Sequence, residues 1–171
     1  MKLKITKVCG MRNQANIADL LQLPVDWMGL IFYEKSKRNV PNSAAKEILA
    51  ASEGKVKRVG VFVNEDLETV VQKIAKFKLS FVQLHGKESP DYCYDLLAKS
   101  AKTFGCGDDL QIILPFLLSG GLDEFSAAAI KSLDLPKLVG VDVNSKFETE
   151  PALKDIEMLQ RFTQSLEEMT I

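Results

Sequence analysis

The 171-residue chain has few of the residues that signal a special environment. It holds one histidine, one tryptophan and three cysteines, Cys9, Cys93 and Cys106. An odd number of cysteines without metal-type spacing argues against a disulfide framework and suits reduced thiols in a cytoplasm. No metal-ligand cluster appears, so neither a metal nor a cofactor is expected. The apolar runs are too short to span a bilayer, and the opening MKLKITK lacks the apolar core of a signal peptide. A charge excess is missing as well. With 22 basic and 23 acidic residues, a formal charge of −1, nothing points to nucleic acid or an anionic membrane as partner.

What is present is ordinary for a globular protein, 46% hydrophobic and 26% charged residues, and the length suits one domain with a substantial core. Short apolar strands alternate with amphipathic helices. Strands are predicted at 3–8, 26–33, 58–63, 80–84, at the run beginning near Pro115, and at 138–143. Helices are predicted after Asn13, at 43–51, at 67–77, from Ser89-Pro90, at 124–133 and at 153–168. This alternation implies parallel strands with helical crossovers, and the nearly continuous apolar strands imply a sheet covered on both faces.

Several strands end in polar residues or glycine: Cys9-Gly10, Asn64, His85-Gly86, Ser119-Gly120 and Asn144-Ser145. Ligand sites of open parallel sheets and of (β/α)8 barrels gather at that end. Ser119-Gly120-Gly121 with Asn144-Ser145 reads as a phosphate grip on neighbouring strand ends, because glycines let backbone N–H groups approach an anion. Short glycine turns also join strands to helices for structural reasons alone. The strand count raises a problem. Six strand–helix units are visible where a closed barrel needs eight, and the stretch from Lys99 to Ile113 is too short for two more at roughly 30 residues each. Either the sheet is open and six-stranded, or something is absent between Ala101 and Leu110.

The motifs KVCGMRN (7–13), DWMGLIFYEKSKR (26–38), RVGVFVNE (58–65), VQLHGKE (82–88), FLLSGGL (116–122) and VGVDVNSKFE (139–148) together resemble the phosphoribosylanthranilate isomerase family of tryptophan biosynthesis. The resemblance implies an α/β (β/α)8 TIM barrel forming a single domain over 1–171, with about two strand–helix units missing between residues 100 and 114. It also implies a strand there bearing an aspartate as general acid. Neither Asp108 nor Asp109 follows an apolar run, so the general acid is unassigned. The absent piece is expected to belong to the protein, so that a backbone step within 100–114 would exceed the ~3.8 Å of a bonded Cα pair.

The resemblance makes Cys9 the general base. From the residues alone a buried core cysteine is the commoner fate, although Lys7 on the same strand face could lower a thiol pKa. Arg38 would bind the substrate carboxylate through its guanidinium fork. His85 would line the substrate pocket as a binding residue, and Asp142, pointing opposite to Val141 and Val143, would face the barrel interior as another. Ser119, Gly120, Gly121, Asn144 and Ser145 would hold the phosphate. The activity implied is an aldose–ketose isomerisation of Amadori type on N-(5-phosphoribosyl)anthranilate, without cofactor, by a cytoplasmic monomer or homodimer. Two other readings stand beside it: a non-catalytic phosphate-ligand-binding short variant, and a different phosphate-barrel epimerase or synthase.

Overall fold

Six parallel strands form one curled sheet with helices on its outer face. The structure, a computed structural model, describes residues 5–104, 116–133, 135 and 138–168. The strands are β1 (Ile5–Val8), β2 (Trp27–Phe32), β3 (Lys57–Phe62), β4 (Phe81–Leu84), β5 (Phe116–Ser119) and β6 (Leu138–Val143). Between them lie α1 (Gln14–Leu20), α2 (Ala45–Ser52), α3 (Leu67–Phe77), α4 (Pro90–Phe104) and α5 (Ala127–Lys131). A small antiparallel hairpin follows, β7 (Glu148–Glu150) with β8 (Leu153–Lys154), and then α6 (Ile156–Glu168).

The sheet order is β4-β3-β2-β1-β6-β5, every neighbouring pair parallel. It is the order left when two consecutive strands are taken from an eight-stranded ring between β4 and β5. The curl is visible in one hydrogen bond. Lys7 Nζ on β1 donates to Gln83 Oε1 on β4 at 2.8 Å. In a flat sheet three strand spacings would hold these strands about 14 Å apart. Bending towards a barrel brings the two inward faces together.

Local signals set the helices. Asn13 Oδ1 accepts from Asn16 N–H to open α1, and Asp66 Oδ1 accepts from Thr69 N–H to open α3. The α3 helix buries Val70, Val71 and Phe77 and ends on Lys78 in the left-handed region. Val8, Met28, Leu30, Phe62, Val141, Phe147, Leu159 and Phe162 are among the core residues beneath the helices.

Two sequence expectations change. The last helix begins at Ile156 rather than near Leu153, because Leu153-Lys154 pairs with β7, and Asp155 then caps α6 by accepting from Met158 N–H. The helix expected over 124–133 is the five-residue α5, preceded by a turn in which Asp123 Oδ1 accepts from Phe125 N–H and the Ser126 hydroxyl. The break expected within 100–114 falls mainly on residues outside the described ones; residues 100–104 continue α4.

Candidate active site at the C-terminal ends of the strands

The site begins at β1, where the side chains of Lys7 and Cys9 point to the inside of the curl. Lys7 is 1% exposed. Its ammonium donates to Asp142 Oδ2 at 2.7 Å, across the β1–β6 register that sets Lys7 opposite Asp142. Period 2 on both strands makes this pairing possible, since Val8, Val141 and Val143 turn to the opposite face and pack in the core. Asp142 Oδ1 is buried and has no hydrogen-bond partner among the described residues. An ionised carboxylate oxygen kept from water without a donor is costly, so this atom is poised to accept a bond from a ligand.

Cys9 is 6% exposed and directly follows β1. Its N–H donates to Val143 O, while the next two N–H groups, of Gly10 and Met11, both donate to Gly29 O. The β2 strand makes room for it at Gly29, where a Cβ would stand 2.6 Å from Cys9 Sγ. Burial pushes the Cys9 thiol above its ordinary pKa. Lys7 pulls against this, Asp142 adds to it, and Lys154 and a hydrogen bond from Lys7 pull down again. Burial wins.

A second polar cluster sits above Gly10. A Cβ on that residue, which has φ +80°, would meet Arg38 Cδ and Asn144 Oδ1 at 2.8 Å and Lys154 Nζ at 3.5 Å. Only glycine lets these side chains close over the strand end. Arg38, from the loop after β2, donates through Nε and Nη2 to Glu148. Glu148 Oε1 also accepts from Lys154 Nζ at 2.5 Å, and Lys154 donates to Asn144 Oδ1 at 2.9 Å. Burial alone would raise the Glu148 pKa, but the hydrogen bonds and charges of Arg38 and Lys154 outweigh it and hold the carboxyl below its usual range. Burial lowers the Lys154 pKa more than Glu148 restores it. Two cations share one carboxylate, so the cluster beside Cys9 carries one uncompensated positive charge.

The other expected residues lie along the rim. Ser119 stands opposite Asp142 in register, and it is exposed together with Gly120 (φ +93°) and Gly121 (φ +71°). Space around both glycines is open, with nothing within 4 Å of an added Cβ. Asn144 and Ser145 begin the turn after β6, on the neighbouring strand. His85 is exposed at the end of β4, its N–H donating to Phe62 O. Glu88 accepts from the N–H groups of Asn64 and Gly86 and so ties the β3 and β4 loops together.

Cys9, Asp142, Arg38 and Asn144 therefore meet in one cluster, with the serine–glycine turn one strand along and His85 on the far edge strand. Sequence reasoning left Glu148 and Lys154 unassigned. Lys154 falls in a segment whose helical pattern masks the two-residue strand β8, and Glu148 begins β7 just before it. The bond from Gln83 to Lys7 depends on the curl.

Parallel strands curled about an interior that carries Lys7, Gln83 and Asp142, with a buried thiol and a cationic cluster at their C-terminal ends, define a partial (β/α) barrel. A sequence profile described as N-(5'phosphoribosyl)anthranilate (PRA) isomerase matches residues 6–112. An N-(5'-phosphoribosyl)anthranilate isomerase of Parabacteroides distasonis is 36% identical over 205 aligned positions, covering 95% of this chain and 93% of the relative. The chain thus belongs to the N-(5'-phosphoribosyl)anthranilate isomerase family. Because 205 aligned positions exceed 171 residues, that alignment leaves at least 34 positions, the difference, opposite no residue of this chain. Among solved structures, monomers generated from the dimeric phosphoribosylanthranilate isomerase of Thermotoga maritima superpose with a TM-score of 0.75 at 27% identity, covering 96% of this chain and 98% of theirs. A phosphoribosyl anthranilate isomerase in complex with reduced 1-(o-carboxyphenylamino)-1-deoxyribulose 5-phosphate gives 0.78 at 26%, covering 97% and 99%. No described helix is long and apolar enough to cross a membrane.

Proposed function

We propose that this protein, as one barrel domain in the cytoplasm, converts N-(5-phosphoribosyl)anthranilate to 1-(o-carboxyphenylamino)-1-deoxyribulose 5-phosphate by an Amadori rearrangement. The observation that carries the reading is Cys9: a buried thiol at a strand end, with the cations of Lys7, Arg38 and Lys154 around it. In the reaction an acid protonates the ribose ring oxygen and the ring opens to an imine. Cys9 thiolate then takes the C2′ proton to give an enaminol, which gains a proton at C1′ as its C2′ hydroxyl loses one and becomes the ketone. Lys7 and Lys154 favour the thiolate by Coulomb attraction, working against the burial that disfavours it.

Arg38 takes the anthranilate carboxylate. Asp142 Oδ1, the unpartnered acceptor, takes a sugar hydroxyl. The turn at Ser119, Gly120 and Gly121 holds the phosphate with Asn144 and Ser145, and His85 contributes to the pocket from β4. The residue that protonates the ring oxygen is unassigned, because no described strand occupies the arc where the family resemblance puts it. That open arc supports the second reading, a protein that binds the phosphorylated ligand without turning it over.

The deciding experiment is an assay with freshly made phosphoribosylanthranilate. Turnover that Cys9→Ala abolishes, while the reduced product analogue still binds, supports the isomerase. Analogue binding without turnover in the unaltered protein supports the binding module, and near-normal turnover in Cys9→Ala removes Cys9 from the role of base.

A further inference from the structure

The loop that carries Arg38 gives its long side chain little reason to hold one rotamer, since fixing such a chain costs entropy. Glu148 supplies the constraint. It accepts from Arg38 Nε at 2.9 Å on Oε1 and 3.0 Å on Oε2, and from Nη2 at 2.5 Å on Oε2. These bonds occupy one edge of the planar guanidinium and leave the Nη1–Nη2 edge for another acceptor.

Glu148 is itself held. Its side chain is 4% exposed, and Oε1 also accepts from Lys154 Nζ and from Ala152 N–H. Lys154 is pinned in turn, its backbone N–H donating to Asn16 Oδ1 at 2.8 Å and its carbonyl accepting from Asn16 Nδ2 at 2.9 Å. A continuous series of bonds thus runs from buried Asn16 on α1 through the β7–β8 hairpin to Arg38. Lys154 has a second effect. A carboxylate beside a carboxylate-binding arginine would repel the ligand, but this one is shared by two cations.

We propose that Glu148 is a positioning residue: it fixes the Arg38 guanidinium so that its Nη1–Nη2 edge receives a ligand carboxylate end-on, while Lys154 keeps the clamp electropositive. This rests on the assignment of Arg38 to the anthranilate carboxylate.

The test compares two ligands by calorimetry. One is reduced 1-(o-carboxyphenylamino)-1-deoxyribulose 5-phosphate, and the other is the same compound without the ring carboxylate. The unaltered protein should prefer the first by at least about tenfold, as a charge-assisted clamp requires. Glu148→Gln should remove most of that preference while binding the carboxylate-free compound as before. A merely structural role would weaken both ligands alike. If Glu148→Gln fails to fold because Lys154 is left buried and unpaired, Glu148→Asp keeps the charge for Lys154 while drawing the carboxylate back from Arg38, and allows the same comparison. An undiminished preference in the variant that folds, or equal weakening of both ligands, overturns the role of Glu148. A preference absent from the unaltered protein overturns the assignment of Arg38, and this inference with it.

Discussion

Gly29→Ala tests whether the placement of the Cys9 thiol governs turnover. The new methyl would lie 2.6 Å from Cys9 Sγ, 2.9 Å from Cys9 Cα and 3.1 Å from Cys9 Cβ. Ordinary van der Waals contact begins near 3.4 Å, so the thiol must retreat by at least 0.8 Å, the difference between 3.4 and 2.6. Rotating the side chain cannot relieve the contact to Cα, so β1 and β2 must also part slightly. Overpacking of this kind costs about 1–3 kcal/mol of stability. A reacting group displaced by about 1 Å loses on the order of 10²-fold in rate. The expected result is a folded protein with a modestly lower Tm, a kcat reduced about a hundredfold by that estimate, and a KM changed much less. Adding Cys9→Ala removes the sulfur and should recover part of the lost stability, because the clash with Sγ goes while that with Cα remains. Unchanged turnover and an unchanged Tm in Gly29→Ala would refute the claim that this glycine sets the thiol position.

The remaining predictions concern charge. Asp142→Asn leaves Lys7 buried without its counter-charge and should cost about 3–5 kcal/mol, whereas Lys7→Met/Asp142→Leu, which removes both charges, should recover most of it in urea unfolding. A double variant as unstable as the two single losses combined would argue against the pair. Alkylation of Cys9 by iodoacetamide should rise with a midpoint above the ordinary thiol value of 9.0, and Lys154→Met should move it higher still, because a cation that lowers it is gone. The unfolded thiol ionises first, so its contribution to stability is complete below pH 9.0 and declines as pH rises towards the folded value. Glu148 behaves in the opposite sense: its folded pKa lies below 4.5, so its contribution is complete above that value and is lost as pH falls through the folded one. Glu148→Gln should flatten that acid limb of the stability curve.

Much of the sheet was legible because its strands are apolar on both faces. Leu138–Val143 was read to the residue, and so was the helix Leu67–Phe77, where Asp66 marks the start and Val70, Val71 and Phe77 mark the buried side. The six-strand count was legible too, and the sheet order agrees with a ring that lacks two consecutive members. The hairpin at 148–154 was not, because a two-residue strand is shorter than any period. The bond from Arg38 to Glu148 spans 110 positions, and no local pattern announces a partner at that separation. Gly29 is a small residue in an apolar run, and only the neighbouring strand, which sets a sulfur against it, shows why no side chain stands there.

If Arg38 and the Ser119 turn hold the two ends of the ligand, as proposed, the strand order sets how it lies. Arg38 follows β2, Cys9 directly follows β1, Asp142 and Asn144 belong to β6 and its turn, and Ser119 ends β5. In the sheet these strands run β2-β1-β6-β5. A ligand with its ring carboxylate at Arg38 and its phosphate at the Ser119 turn of β5 would lie across three strand spacings, with its sugar over Cys9 between them. About 4.8 Å per strand sets an upper limit of roughly 14 Å on that span, and the curl shortens it towards the scale of a ribose joining a phosphate to an aromatic ring. Truncated ligands test the orientation. Gly120→Asp, which puts a negative charge in the open serine–glycine turn, should abolish binding of ribose 5-phosphate and leave anthranilate binding intact. Arg38→Met should do the reverse, and in the unaltered protein the two fragments should bind together. Fragments that exclude one another, or a Gly120→Asp protein that loses anthranilate as readily as ribose 5-phosphate, would show that the two ends of the arc are not separate subsites.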